Sequence, residues 1–162
     1  MIELIKMTEE EFARFREYSV AEYANDLING EGLDRETAMK NAAREFGGML
    51  TEGLGTEDHF VMDIRDVRSG KTVGWMWYCY ETDEDDTPQV FLCDFLIFED
   101  ERRKGYASAA LAEMERRAKA DGLAAAALFV WDHNPAGAAL YRKCGYAPAA
   151  REEGGVTMKK PL

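Results

Sequence analysis

Nowhere in the chain does an apolar run approach the roughly 20 residues that a membrane-spanning helix requires. The N-terminus, Met1-Ile2-Glu3-Leu4, also lacks a basic segment followed by a long apolar one, so no secretion signal is read and a cytoplasmic protein is the expectation. Proline is scarce, at four residues, and no low-complexity linker or internal repeat is visible, which sets aside a disordered chain. Cys79, Cys93 and Cys144 are odd in number and far apart, matching neither a disulfide framework nor paired zinc ligands. Reduced core thiols and no metal are expected. Cations are outnumbered, with 20 Lys and Arg against 31 Asp and Glu and a net charge of -11. That balance disfavours nucleic acid as the main partner and leaves open either a cationic acceptor or mere solubility.

What is present is a chain of 162 residues, 46% hydrophobic, long enough for one core and too short for two full domains, so 1–162 reads as a single domain. Ile2 to Lys6 alternates as a short strand, and Thr8-Glu9-Glu10-Glu11 has the form of a capping box. Phe12, Phe15, Tyr18, Tyr23 and Leu27 then recur at helical spacing until Asn29-Gly30-Glu31-Gly32. Asp34 caps a second helix through Ala38, Ala42 and Phe46, ending at Gly47-Gly48 or fraying toward Gly55.

From His59 the period changes to two. Phe60 to Asp66 and Thr72 to Glu81 read as strands joined at Arg68-Ser69-Gly70-Lys71. Trp75 and Trp77 fall on one face of the second strand and Met76 and Tyr78 on the other, so it should be sandwiched between layers. Gln89 to Phe98 is the next strand and carries Asp94 among apolar neighbours, either a hydrogen-bonded core carboxylate or part of a cleft. Ala107, Ala110, Leu111, Met114 and Ala118 define a helix with Glu113–Arg117 and Glu115–Lys119 as i,i+4 pairs. Leu123 to Trp131 reads as a strand after Gly122, Asn134 caps a helix with Pro135 in its first turn, and Gly155 to Lys160 forms a last strand. The whole is a mixed α/β layer architecture whose crossover helix makes its flanking strands parallel.

Between that strand and helix lies Arg102-Arg103-Lys104-Gly105-Tyr106-Ala107-Ser108, three cations and a glycine leading into free N–H groups at a helix start. Such a junction suits a polyanion such as a pyrophosphate.

This loop resembles the Gln/Arg-x-x-Gly-x-Gly/Ala signature of the GNAT superfamily of acyl-CoA-dependent N-acetyltransferases. Asn134, Leu140-Tyr141 and Gly145-Tyr146 likewise resemble that family's Asn-x-x-Ala-x-x-Leu-Tyr-x-x-x-Gly-Phe/Tyr pattern. Departures are Glu99 where Pro is frequent, Ala107 at the third small position, Gly137 for Ala, and Cys144 for a larger apolar residue. The resemblance implies a mixed sheet with helices on both faces and a splay between the fourth and fifth strands. It assigns the acetyl-CoA pyrophosphate to Arg102, Arg103, Lys104, Gly105, Tyr106, Ala107 and Ser108, and the pantetheine arm to the backbone of Phe95, Leu96 and Ile97 and to Asn134. Tyr141 would be the general acid to the departing thiolate. The base is left among Asp94, Glu81, His133 and water, with Asp94 the named catalytic candidate. A primary amine, small or on a protein, would be acetylated directly in a ternary complex; a non-catalytic acyl-CoA-binding module is the alternative. Dimers are common in that family, so a homodimer is among the expectations.

Overall fold

The computed structural model describes residues 1–162, and the change of period at His59 divides it as expected. The chain runs β1 (Ile2–Lys6), α1 (Glu9–Glu31), α2 (Arg35–Met49), β2 (His59–Asp66), β3 (Thr72–Thr82), β4 (Pro88–Ile97), α3 (Tyr106–Ala120), β5 (Ala125–Trp131), α4 (Pro135–Lys143), β6 (Ala147–Glu152) and β7 (Gly155–Pro161). The strands form one seven-stranded sheet in the order β1-β2-β3-β4-β5-β7-β6. All neighbours are antiparallel except β4 and β5, the pair joined through α3. No helix is long and apolar enough to cross a membrane.

Local chemistry accounts for the element ends. The Thr8 hydroxyl accepts from the Glu11 N–H at 3.2 Å, and the Glu11 carboxylate accepts from the Thr8 N–H at 3.0 Å, completing the capping box. Gly32, at φ 71°, supplies the left-handed residue that ends α1. Asp34 caps α2 through the Thr37 N–H at 2.9 Å, and that helix continues through both glycines to Met49.

Both faces of β3 are covered. On one, Phe15 of α1 meets Trp75 edge-on at 5.4 Å between centroids, and Phe46 of α2 meets Trp77 at 5.3 Å. On the other, Met76 and Tyr78 pack with Leu111, Met114 and Ala118 of α3. Burying each such large side chain contributes about 1.5 to 3 kcal/mol, so these two layers hold the sheet between them.

One expected pairing is replaced. Glu113 does bind Arg117 at 2.8 Å, but Glu115 binds Lys160 at 2.8 Å and accepts the Tyr146 hydroxyl at 3.0 Å, leaving Lys119 aside. A half-buried carboxylate gains more from two ordered partners on β7 and the α4–β6 connection than from one mobile neighbour on its own helix.

The sheet splits where the resemblance implies. β4 pairs with β5 only from Gln89–Ala125 to Leu92–Leu128. Beyond that, β4 stays with β3 while Phe129 to Trp131 stay with β7. The register of β4 on β3 jumps from Trp77–Asp94 to Tyr78–Leu92, making Cys93 the extra residue of a bulge. Bulges bend and twist a strand, and this one turns β4 away from β5.

The diverging segment of β4 lies close against β3 at Gly74, where an added Cβ would stand 2.1 Å from the Leu96 carbonyl oxygen. Gly74→Ala is therefore expected to destabilise the protein by about 1 to 3 kcal/mol in urea unfolding, the cost typical of overpacking. A midpoint equal to that of the parent protein would show that β4 is free to move there.

Candidate active site

The basic loop is set by two left-handed residues, Arg103 at φ 62° and Gly105 at φ 86°. Gly105 is the N-cap of α3 and offers no side chain to it, so the first N–H groups of that helix point into the loop without an intrahelical acceptor. Such a run of N–H groups is an anion-binding concavity. Glu101, 6% exposed, anchors the loop from below by binding Lys71 and, at 3.0 Å, Lys104. Those two ammonium groups hold its carboxyl below the usual range. Arg102 donates from Nε to the Ile97 carbonyl at 3.0 Å, tying the loop to the end of β4.

A cleft of about 710 Å³ begins at this loop and runs between the diverging end of β4 and α4. Its walls include Phe95, Leu96 and Ile97, Arg102 and Arg103, the segment Gly105 to Ser108, Asn134 and Tyr141. Of the residues assigned to the cofactor from sequence, Lys104 alone is not among them; its ammonium is directed to Glu101.

Asn134 caps α4 by accepting the Gly137 N–H at 3.0 Å. An added Cβ at Gly137 would lie 2.5 Å from the Asn134 amide nitrogen, so the glycine leaves room for the cap. One turn later, Tyr141 is half-buried with no hydrogen-bond partner in the chain, and burial, reinforced by the Asp94 charge, pushes its hydroxyl up to about 12. Its hydroxyl belongs to the wall of the cleft.

A second cavity, of about 480 Å³, lies on the opposite side of the same strand, between β4, α1, α2 and the end of β5. Asp94 lines it, while the next residue, Phe95, lines the first cleft. The Asp94 carboxylate accepts the Ser19 hydroxyl of α1 at 2.5 Å. Burial raises its proton affinity, and the Ser19 hydrogen bond opposes that rise. Glu81 and His133 line neither cavity. His133 instead contacts Asp26 at 2.8 Å and stacks on Trp131.

Two features escape a reading of the sequence. Glu101 sits in an ordinary Glu-Asp-Glu turn, and only the fold reveals its burial. Ser19, Glu22, Tyr23 and Asp26 do recur at three- and four-residue spacing, a polar stripe beside the aromatic one, and it faces the second cavity.

The layered sheet with one parallel junction, a splay after it and an N–H cradle at the crossover helix defines an acyl-CoA-dependent acetyltransferase architecture. Residues 11–146 match the Acetyltransferase (GNAT) family, and the chain belongs to that family. It is 32% identical to the uncharacterized N-acetyltransferase YdgE of Bacillus subtilis over 141 residues, 87% of this chain and 88% of that one. It is 30% identical to the uncharacterized N-acetyltransferase YycN of the same organism over 99% of both chains. The crystal structure of YycN superposes with a TM-score of 0.85, covering 94% of this chain and 96% of that one. The PaiA N-acetyltransferase of Thermoplasma acidophilum, in complex with coenzyme A, has the same fold at 16% identity and a TM-score of 0.71, covering 100% and 99% of the two chains.

Removing the Ser19 hydroxyl takes a donor from the charged form of Asp94, so Ser19→Ala is expected to raise the Asp94 pKa further. Carboxyl-detected NMR titration measures this. An unchanged or lowered midpoint would show that the contact does not stabilise the carboxylate.

Proposed function

We propose that the protein transfers an acetyl group from acetyl-CoA directly to a primary amine, with residues 1–162 acting as one catalytic domain. The observation that carries this reading is a single cleft joining the N–H cradle at Gly105 to the unpartnered Tyr141 hydroxyl, with Asp94 opening the far side of the strand. The cradle fits a pyrophosphate: each N–H bond to a charged oxygen is worth about 1.5 to 3 kcal/mol, against about 0.3 to 1 for the helix dipole, so convergent amides dominate. The β4 edge past Leu92 is unclaimed by β5, which suits strand-like pairing with a pantetheine arm. The Thermoplasma acidophilum neighbour, a coenzyme A complex, is consistent with the same cofactor. When bound, acetyl-CoA supplies an activated thioester.

Asp94 takes the proton of the acceptor ammonium, freeing the nitrogen lone pair to form the new N–C bond. Backbone N–H groups of β4 stabilise the oxyanion. Tyr141 gives its proton to the sulfur as the C–S bond breaks and regains one from the new amide nitrogen, and Asp94 releases the ammonium proton to solvent. Because burial raises Asp94, the acidic limb of kcat/KM falls above the ordinary carboxylate range, with activity lost as pH drops through it.

Tyr141→Phe is expected to lower kcat by about 100-fold or more. In the same variant, saturating acetyl-CoA at about 100 times its Kd should still stabilise the protein by about 2.7 kcal/mol in a thermal shift. Release of coenzyme A thiol over a panel of amines reads the rate. Unchanged turnover in the variant would remove Tyr141 from the chemistry, and acetyl-CoA stabilisation without any acceptor-dependent thiol would leave a binding module.

A further inference from the structure

The second cavity is walled by 19 residues without a lysine or arginine, although the chain holds 20 such residues. Its carboxylates fall in two groups. Glu22 and Asp26, the latter paired with His133, lie toward β4 and their charges act on Asp94, while Glu152 at the end of β6 accepts the Thr157 hydroxyl. Glu31, Glu45 and Glu153 lie at the other end, arriving from the end of α1, from α2 and from the turn between β6 and β7. Burial first, then the charges of Glu153 and Glu45, raise the proton affinity of Glu31, so the three are close enough to repel. None of them is in an ion pair, whereas Glu36, Glu101, Glu113 and Glu115 all are.

That repulsion is built into tight packing. An added Cβ at Gly30 would meet the Trp131 ring at 2.4 Å, and one at Gly154 would meet it at 2.8 Å and the Gly30 carbonyl at 2.9 Å. The backbone at the end of α1 and the β6–β7 turn is thereby packed against one indole, which brings Glu31 and Glu153 to the same end of the cavity. Beside these acids the wall is aromatic, with Tyr23, Phe46, Phe129 and Trp131. Aromatic faces attract desolvated cations and accept methylene chains. Ser19 and Glu31 are separated by about 18 Å along the axis of α1, at the rise of an α-helix. A single ammonium cannot serve both ends of such a cavity.

We infer that the acceptor is a linear polyamine, whose reacting nitrogen lies at Asp94 and whose distal ammonium is held by Glu31, Glu45 and Glu153 across the aromatic wall of the 480 Å³ cavity. The inference rests on the acetyl-transfer reading and narrows it to a class of substrate. The slender, flexible chain of a polyamine suits a walled space that a folded protein surface does not enter, and its charges neutralise the acidic end that the protein leaves uncompensated.

Spermidine and hexylamine, matched probes with and without distal ammonium groups, test it in the intact protein and in Glu45→Gln/Glu153→Gln, whose two sites are exposed and spare the core. For the parent protein, kcat/KM for spermidine should exceed that for hexylamine by about tenfold or more, the effect of charge-assisted hydrogen bonds. In the variant that ratio should fall about tenfold, through the KM for spermidine. Equal efficiency with the two amines, a ratio unchanged in the variant, or a lysine-rich peptide outperforming spermidine would overturn the inference while leaving acetyl transfer intact. If no amine releases thiol, the acetyl-transfer reading fails. Calorimetry of spermidine on the coenzyme A-bound protein then decides the cavity: binding weakened in the variant supports its occupant, and no binding overturns it.

Discussion

Parallel pairing between β4 and β5 lasts for four residue pairs and stops, and the rest of the structure depends on that stop. A buried strand edge normally finds a partner for every N–H and C=O, because an unpaired group away from water costs about 1 to 3 kcal/mol. Here the edge is kept open by covalent geometry rather than by a loop: the bulge at Cys93 turns β4, and Gly74 lets the turned segment settle against β3. The same stop separates two cavities by the thickness of one strand, so consecutive residues, Asp94 and Phe95, face different chambers.

Charge is distributed to match. Against a net charge of -11, the first cleft gathers Arg102 and Arg103 around an N–H cradle, while the second has no basic residue. Glu101 makes this compatible with folding. Its buried carboxylate absorbs Lys71 and Lys104, which together with the Arg102 bond to the Ile97 carbonyl fixes the loop. The loop is thus held from beneath by an acid and presents its cations above.

Much of this was legible in the amino-acid order because the signals were local. Thr8 and Glu11, Asp34, Asn134 with Pro135, and Gly105 each act within a few residues of their partners, and the alternation around Trp75 to Tyr78 follows directly from covering β3 on both faces. What the order of residues did not carry is long-range. β6, Ala147–Glu152, is exposed along its whole length, so no apolar period marks it. Glu115 prefers Lys160 over its helical neighbour because of a β7 residue 45 positions away. The second cavity draws its walls from α1, α2, β4, β5 and the β6–β7 turn, and no segment of the chain contains enough of it to stand out.

The bulge that opens β4 also carries Cys93 onto the wall of the second cavity, with its sulfur 3.8 Å from that of Cys79. A thiolate in that position would be a better nucleophile than any amine and would intercept an acyl thioester, leaving a stalled acyl-enzyme. The adjacent Cys79 thiol and burial both push the Cys93 thiol well up, keeping it protonated. The strand distortion that splits the sheet thus places a thiol on the cavity wall, and the second thiol and burial favour its protonated, less nucleophilic form.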